Sequence, residues 1–171
     1  SPNTLRILRE LGFLYDSSLM SDDRPYELLE HGQPTGIVEL PVEWILDDAP
    51  LFDPRGSNYS PPRDVLQVYI DEFDRAWEER GMFVLTVHPH IIGHRSRIIV
   101  LEKLIEHIQA KGGAWFATHQ QAAEATQPGE RSFYFPPLVT AWANPQRPSS
   151  LGPFAFTALV KRDGRLDLEG A

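Results

Sequence analysis

The chain has 171 residues, of which 42% are hydrophobic and 23% charged, a composition typical of one globular domain rather than of a disordered segment. Its formal net charge of −8, with 16 scattered basic residues, argues against a nucleic-acid partner, and the lack of cysteine excludes thiolate ligands and disulfides. No stretch approaches the ~20 apolar residues of a membrane span. No targeting segment is visible, which favours the cytoplasm, and the chain begins with Ser1 rather than Met, so we expect upstream residues.

The first sixty residues predict short elements separated by polar loops. A helix is predicted over residues 1–11, because three leucines recur there at helical spacing and Gly12 is placed to end it. The elements that follow are a buried strand over 13–15, a polar loop over 16–25, an apolar strand over 37–40 and a loop over 47–62. Four prolines within this last range favour irregular structure.

Between residues 63 and 126 the hydrophobic pattern alternates between helix and strand. Two helices are predicted from apolar faces at helical spacing, formed by Leu66, Tyr69, Ile70, Phe73, Ala76 and Trp77 and by Ile98, Leu101, Leu104, Ile105 and Ile108. Continuous apolar runs predict strands over 82–87 and 114–117, and Thr118 with Gln121 forms a capping box that begins a third helix. This order is typical of βαβ units in an α/β fold.

The pattern changes after Thr126, where prolines interrupt the sequence. Apolar residues 154–160 and residues 165–168 flank Asp163-Gly164, which is a strong hairpin signal. We therefore predict two parts: an α/β part over residues 1–126, and a Pro-rich loop and hairpin extension over 127–171 that covers an edge or an end of the sheet.

His88 is the strongest candidate for catalysis. It ends the most apolar predicted strand, and active sites of parallel α/β folds lie at the carboxyl ends of strands. Pro89 ends the strand there, and an imidazole can donate a proton to a leaving group near neutral pH. The alternative is a strand-end histidine whose ring is satisfied by a backbone carbonyl.

Asp47 and Asp48 follow Trp44 at another predicted strand end. Paired carboxylates suit acid–base chemistry or the orientation of a histidine, and a carboxylate near His88 would favour its protonated form. Acidic pairs in loops are also common as solvated turn residues. Four aromatic residues could stack on a sugar ring or belong to the core: Trp44, Phe52, Tyr59 and Trp115.

The remaining histidines and acids carry weaker signals. His90 and His94 complete a His-Pro-His-x-x-x-His pattern with His88, but Pro89 and Gly93 interrupt the helix that such a metal pair needs, which favours solvent-facing or substrate-loop roles. Ordinary surface positions explain three other histidines: His31, His107 and His119. The acidic cluster on the first long helix is interpreted as a solvated face: Asp71, Glu72, Asp74, Glu78 and Glu79.

Several blocks of the sequence, taken together, resemble the polysaccharide deacetylase (NodB-homology) family. They are Leu-Arg-Glu-Leu-Gly-Phe-Leu-Tyr-Asp-Ser-Ser within residues 1–18, Asp-Asp-Arg-Pro-Tyr at 22–26, Glu-Leu-Pro-Val-Glu-Trp with Asp-Asp-Ala-Pro within 39–50, Phe-Val-Leu-Thr-Val-His-Pro within 83–97, and Ala-Trp-Phe-Ala-Thr at 114–118. Their order and spacing make the resemblance fairly specific, and it covers roughly residues 1–125. The most similar branch holds peptidoglycan and chitin-type deacetylases with the allantoin and cyclic-imide amidohydrolases.

This resemblance implies a fold and a set of site residues. The fold would be the C-terminal half of a distorted (β/α) barrel of the seven-stranded NodB type, with the hairpin tail appended. The activity would be hydrolysis of an amide, with His88 as general acid and Asp47 or Asp48 as its supporting carboxylate. Three further residues are predicted to bind substrate: Trp44, Asp16 and Arg97.

The resemblance also implies a divalent metal, usually zinc, held in metal-dependent members by an Asp and a His-x-x-x-His pair. Those residues belong to the first half of the family's domain and have no counterpart here. His90 and His94 share the spacing but lie downstream of the catalytic histidine, so no metal ligand is predicted in this chain, and zinc would be bound by residues that the chain does not contain.

Three functions remain open on this basis. The protein hydrolyses an N-acetylated saccharide or another small amide; or it is a metal-free amidohydrolase for a small cyclic substrate; or the chain is a non-catalytic half-domain that binds a sugar or a partner. Because a half barrel exposes sheet edges and apolar surface, we expect a homo-oligomer or completion by a missing N-terminal segment.

Overall fold

The computed structural model describes residues 3–52 and 59–126 together with two strands further along the chain, Leu138–Trp142 and Phe156–Leu159. The helix predicted over residues 1–11 is α1, Thr4–Glu10, and Gly12 follows it with φ +74°, a left-handed conformation that favours glycine. Ser1 and Pro2 lie outside the described residues.

The first sheet has three strands: β1 (Tyr15–Asp16), β2 (Tyr26–Glu30) and β3 (Gln33–Glu39). Its order is β1-β3-β2, with β1 parallel and β2 antiparallel to β3. The prediction of an apolar strand over 37–40 is confirmed by β3, whose C-terminal half is buried. The prediction of a buried strand over 13–15 is wrong, because the strand begins at Tyr15, and Phe13 and Leu14 are exposed.

Strand β2 was not predicted from the sequence. It forms a hairpin with β3 through the two residues His31 and Gly32, whose φ values are +51° and +77°. Two consecutive positive φ angles are typical of the two-residue turn whose twist matches the flanking strands. The Gly at the second position was the available signal, but His is a rare partner for it.

The second sheet contains β4 (Met82–Thr86), β5 (Leu138–Trp142) and β6 (Phe156–Leu159). All five residues of β4 are buried, which confirms the prediction of a strand within 82–87. Strand β5 runs parallel to β4, and β6 runs antiparallel to β5. The two described strands after Thr126 therefore extend the sheet beside β4. The predicted hairpin turn at Asp163-Gly164 lies outside the described residues.

The described helices after β3 are α2 (Asp48–Phe52), α3 (Pro62–Glu79), α4 (Pro89–Ile92), α5 (Arg95–Lys111) and α6 (His119–Ala125), and a 3-10 turn spans Trp44–Leu46. The prediction of a loop over 47–62 is wrong for its first part, which forms α2. Pro50 is compatible with α2 because it lies in the first turn, where backbone N–H groups have no partner within the helix. No described helix combines the length and apolar character of a membrane span.

Helices α3 and α5 pack on each other and on β4 to form the main core. The most buried residues of α3 are Val65, Tyr69 and Phe73, and those of α5 are Arg97, Val100, Leu104 and Ile108. The predicted face of α5 is therefore shifted, since Ile98, Leu101 and Ile105 are only half-buried. The apolar run at 98–101 contains no polar residue that could mark which side faces solvent.

A second, smaller core joins the two sheets. It contains Val38 and Leu40 beside β1, Met82 and Val84 from β4, and Ala117, Ala122 and Ala123 around the start of α6. Trp115 and Phe116 form only bridge-type pairing, so the predicted strand over 114–117 is reduced to two residues. The described residues thus form an α/β fold in which the carboxyl ends of β4 and of the segment before α2 come together.

Candidate active site

His88 lies where β4 gives way to α4. Its backbone is extended, with φ −112° and ψ 119°, and Pro89 occupies the first position of α4. The His88 carbonyl accepts hydrogen bonds from the backbone N–H groups of Ile91 and Ile92 at 2.7 and 2.9 Å. The ring is largely enclosed, with 14% of the side chain exposed. The predicted strand-end position is therefore confirmed.

Asp48 binds His88 with both of its carboxylate oxygens. Oδ2 accepts from the backbone N–H of His88 at 2.9 Å, and Oδ1 lies 2.6 Å from the ring nitrogen Nδ1. Since a carboxylate can only accept, Nδ1 carries the proton in this contact. The Asp48 side chain is completely buried. The arrangement fixes the orientation and tautomer of the imidazole and places Nε2 on the edge of the ring opposite Asp48.

The backbone explains why Asp48 meets a residue forty positions away. Asp47 pairs with Thr86 in a parallel bridge, so the chain entering α2 runs beside the end of β4. Asp48 is the first residue of α2, where the chain turns away from the extended conformation of Asp47. The two acids consequently reach the His88 ring at different distances, and of the two only Asp48 lies within hydrogen-bonding distance of Nδ1.

Asp47 occupies a second position near the imidazole. Its Oδ1 lies 3.8 Å from His88 Nδ1 and accepts from the backbone N–H of Ala49 at 2.8 Å. Burial raises the pKa of Asp47, while the Ala49 N–H and the charge of His88 lower it and the neighbouring Asp48 raises it. Asp47 therefore adds negative potential at the site without holding the ring.

Asp47, Asp48 and His88 are the group among the described residues whose ligand atoms, all within 4.8 Å of one another, could hold a metal ion. However, Asp48 Oδ1 already binds His88 Nδ1 and Asp48 Oδ2 accepts from the His88 backbone N–H, so a metal held through these atoms would have to break the His88–Asp48 contacts. Catalytic zinc uses three protein ligands and an open position. The geometry fits a hydrogen-bonded carboxylate–imidazole pair and does not fit a zinc site formed by these residues.

The other predicted site residues lie on different elements. Trp44 is 66% exposed on the 3-10 turn three residues before Asp47. Asp16 ends β1 and accepts a hydrogen bond from Ser18 Oγ at 2.6 Å. Arg97 is 9% exposed near the start of α5, where its Nη1 donates to the Ile91 carbonyl at 3.1 Å. The substrate-binding roles of these three residues remain predictions.

The placements of the other histidines agree only in part with the sequence analysis. His90 and His94 are exposed as predicted, and the His90 ring packs edge-on against His88 with centroids 5.8 Å apart. The prediction for His119 is wrong, because it is buried at the start of α6, and this burial lowers its pKa to about 4. His107 is half-buried and contacts Asp74 at 2.7 Å, so neither is an ordinary surface residue.

His119 belongs to a polar cluster that the sequence analysis missed. Its Nε2 lies 3.4 Å from Ser17 Oγ, which donates to the Leu40 carbonyl at 2.7 Å. Glu39 is fully buried beside them, and its Oε1 accepts from the backbone N–H groups of Ser18 and Leu19 at 2.9 and 2.8 Å. The available signals were a lone acid within a predicted buried strand and a histidine that, like His88, follows an apolar run.

Burial raises the pKa of Glu39 from the ordinary 4.5 to about 7; the Leu19 and Ser18 N–H groups oppose this rise, and the charge of Asp16 adds to it. The folded protein therefore keeps a proton that the unfolded chain releases as pH rises from 4.5 to 7. The contribution of Glu39 to the free energy of unfolding is therefore fully present below pH 4.5 and is lost as pH rises from 4.5 to about 7. At about 1.4 kcal/mol per pH unit, the loss is about 3 kcal/mol.

We expect Glu39→Gln to flatten this part of the pH dependence, because Gln keeps the Oε1 acceptor and does not ionise. Urea unfolding between pH 4 and 8 measures it: the stability of the wild type should fall relative to the variant as pH rises. Glu102→Gln, at an exposed position on α5, is the control. If the curves for wild type and Glu39→Gln run parallel, the Glu39 carboxyl has the same pKa in the folded and unfolded states and the assignment is wrong.

Sequence and structure comparisons place these residues in a family. The chain is 31% identical over 150 residues to the peptidoglycan deacetylase of Helicobacter pylori, covering 71% of this chain and 51% of that protein. A solved structure from Mycobacterium smegmatis, assigned to the polysaccharide deacetylases, has 35% identity and a TM-score of 0.65, covering 72% of this chain and 44% of that one. The chain is homologous to the polysaccharide deacetylases.

The solved structure of PuuE allantoinase is also similar to this deacetylase homologue, with 28% identity and a TM-score of 0.64 over 75% of this chain and 45% of the allantoinase. No family model matches the chain. The resemblance identified from sequence blocks is confirmed by these relatives. The chain spans about half the length of the curated relatives it matches, 51% and 41%.

Proposed function

We propose that the protein to which this chain belongs hydrolyses non-peptide amide bonds and removes acetyl groups from an N-acetylated polysaccharide. The observation that carries the proposal is the 2.6 Å contact between Asp48 Oδ1 and His88 Nδ1 at the end of β4. A buried carboxylate that orients a strand-end imidazole is the arrangement a general acid requires. The homology to named deacetylases supports the choice of an acetamido substrate.

In this mechanism, a base outside this chain takes a proton from water as the water oxygen adds to the amide carbonyl and forms a tetrahedral intermediate. His88 donates the proton on Nε2 to the departing nitrogen, so that the C–N bond breaks to give acetate and a neutral amine. Without that proton the amine is a poor leaving group. Asp48 stabilises the protonated ring before the transfer and holds it in position, while Trp44 and Asp16 are proposed to contact the saccharide.

A divalent metal, with zinc as the expected ion, would supply activation of water and polarisation of the carbonyl when bound. Because Asp48 and His88 are engaged with each other, we propose that its ligands lie outside this chain. The fold would then be half of a distorted seven-stranded (β/α) barrel. The TM-scores of 0.62 to 0.65, from matches that cover only 42% to 45% of the solved chains, support this interpretation.

The test of function is acetate release from N-acetylated oligosaccharides by the full-length protein, with and without a chelator. Acetate release that stops on chelation and returns with zinc is the expected result. Absence of acetate release from every N-acetylated saccharide contradicts the proposal. Hydrolysis of allantoin that survives chelation would instead favour the metal-free cyclic-amide alternative, which the similarity to PuuE allantoinase supports; saccharide binding without turnover would favour the non-catalytic one.

We further propose that another part of the protein, or a second copy, covers apolar surface near the start of this chain. Ile7, Leu11, Phe13 and Leu14 are all exposed within eight consecutive residues. Leaving such a patch in water favours association. We therefore expect the isolated 171-residue chain to bind a hydrophobic dye or to self-associate, which analytical ultracentrifugation with dye titration measures. A monomer that binds no dye and melts cooperatively contradicts this proposal.

A further inference from the structure

The side chain of Arg97 is an unusual feature of the region beside the candidate active site. It is 9% exposed, and no carboxylate pairs with it among the described residues. A buried guanidinium without a counter-charge is costly, because desolvation removes the water that stabilises it. Its environment must supply compensation, either from the protein or from a ligand.

The protein supplies only part of that compensation. The guanidinium lies against two neighbouring aromatic rings, 5.4 Å from the centroid of Phe52 and 5.0 Å from that of Tyr59. Nη1 donates to the Ile91 carbonyl at 3.1 Å, and Nε donates to the Tyr59 hydroxyl at 3.3 Å. Cation–π contacts and neutral acceptors stabilise the cation but leave its charge unneutralised.

Donor capacity remains on the guanidinium. No hydrogen bond from Nη2 is found within the described part of the chain. Three fully buried side-chain atoms in that part of the chain lack a hydrogen-bond partner: the Tyr26 and Tyr69 hydroxyl oxygens and Glu39 Oε2. Nη2 of Arg97 is not among them, so this nitrogen is accessible to solvent. The Tyr59 hydroxyl accepts from Arg97 and can still donate its own proton. Its hydrogen bond with Arg97 lowers the pKa of Tyr59, although burial opposes this.

These donors lie close to the catalytic pair. Ile91, which accepts from Arg97, belongs to α4, and its N–H binds the His88 carbonyl at 2.7 Å. Phe52, on which the guanidinium stacks, ends the helix that Asp48 begins, about 6 Å along the helix axis. Arg97 therefore contacts both short helices that carry the catalytic residues.

The geometry points to a carboxylate-binding subsite formed by Arg97 and Tyr59, next to the His88–Asp48 pair. This inference rests on the proposed function and specifies its substrate as an acetamido sugar that carries a carboxylate. Arg and a carboxylate form strong, directional hydrogen bonds, and the ligand would provide the counter-charge that the described residues lack. The half-exposed Tyr59 ring can in addition stack on the sugar.

Equilibrium binding to two matched ligands tests this subsite. N-Acetylmuramic acid and N-acetylglucosamine differ by a lactyl ether that carries a carboxylate. Binding is measured by calorimetry with full-length protein in a His88→Asn background, so that turnover does not consume the ligand. We expect the acidic sugar to bind ~10–100-fold more tightly at low salt. This preference should decline as salt is added.

The variants separate a ligand contact from a structural role. Arg97→Met should reduce the ratio of the two affinities to about one, and Arg97→Lys should keep part of it because the charge remains. Tyr59→Phe removes only the hydroxyl of an exposed ring and should lower the affinity ratio several-fold. This variant provides the test if Arg97→Met does not fold. Arg95→Met is the matched control, since Arg95 is exposed two residues earlier on the same helix and its loss should leave the ratio unchanged.

Equal affinities of the parent protein for the two sugars overturn the subsite, as does a preference that survives both Arg97→Met and Tyr59→Phe. These outcomes are distinguishable from failure of the proposed function. If no saccharide releases acetate but the Arg97-dependent preference is present, the anion subsite stands and the deacetylase proposal fails. If acetate is released and both sugars bind equally, the deacetylase proposal stands and the subsite fails.

Discussion

Replacing His88 with Ala is expected to slow amide hydrolysis by the full-length protein by ~10²–10⁴-fold, the range typical for loss of a general acid. The physical reason is the leaving group: an amine departs readily only when its nitrogen receives a proton as the C–N bond breaks. The 2.6 Å contact with Asp48 holds the ring for that transfer. Steady-state kinetics of acetate release measure the effect, which should appear mainly in kcat.

Truncation at His88 also leaves the buried Asp48 carboxylate with one unpaired oxygen, at a cost of about 1–3 kcal/mol. His88→Asn is therefore the better-folded variant, because its amide N–H can still approach Asp48 but cannot act as an acid near neutral pH. Both variants should lose the same activity. His90→Ala is the control, since His90 is exposed and its ring packs edge-on against that of His88. Normal turnover by either His88 variant, with the thermal midpoint unchanged, would overturn the assignment.

Asp48→Asn should give the second largest loss, again of ~10²–10⁴-fold at neutral pH, by analogy with the orienting Asp of serine-protease triads. His88 presents two donors to Asp48, its backbone N–H and Nδ1–H, and each uses a separate oxygen. An amide offers one oxygen, so one donor loses its partner. The neutral amide also removes the charge that favours the protonated imidazole. The loss should therefore grow as pH rises, which a pH–rate profile measures.

Asp47→Asn is the matched comparison for this prediction. Asp47 Oδ1 is 3.8 Å from Nδ1 and already accepts from Ala49, and an Asn oxygen can keep that second bond. We expect a loss of no more than ~10-fold, because only a longer-range charge is removed. If Asp47→Asn is as damaging as Asp48→Asn, the two acids share the role, and the orientation argument from the start of α2 is incorrect.

The sequence was sufficient to predict the position of His88 after a buried strand because the signal is local. A continuous apolar run followed by His-Pro determines a buried strand, its end and the residue at that end. The resemblance to the polysaccharide deacetylases came from blocks of the same local kind and is confirmed by the relatives. The β2–β3 hairpin was missed because His-Gly is a weak turn signal, although the two backbone angles are those of a standard turn.

What the sequence by itself determined is thus the α/β class, the apolar strands β3 and β4, the resemblance to the family and the position of His88 after β4. Only the tertiary structure distinguished Asp48 from Asp47, because the choice depends on the pairing of Asp47 with Thr86 and on the turn into α2. It also revealed that Arg97 lies against two aromatic rings and that Glu39 and His119 are buried. Hydrophobic periodicity indicates which residues of a helix or strand face the core. Contacts between polar residues distant in sequence depend instead on strand register and helix packing, which no local sequence pattern encodes.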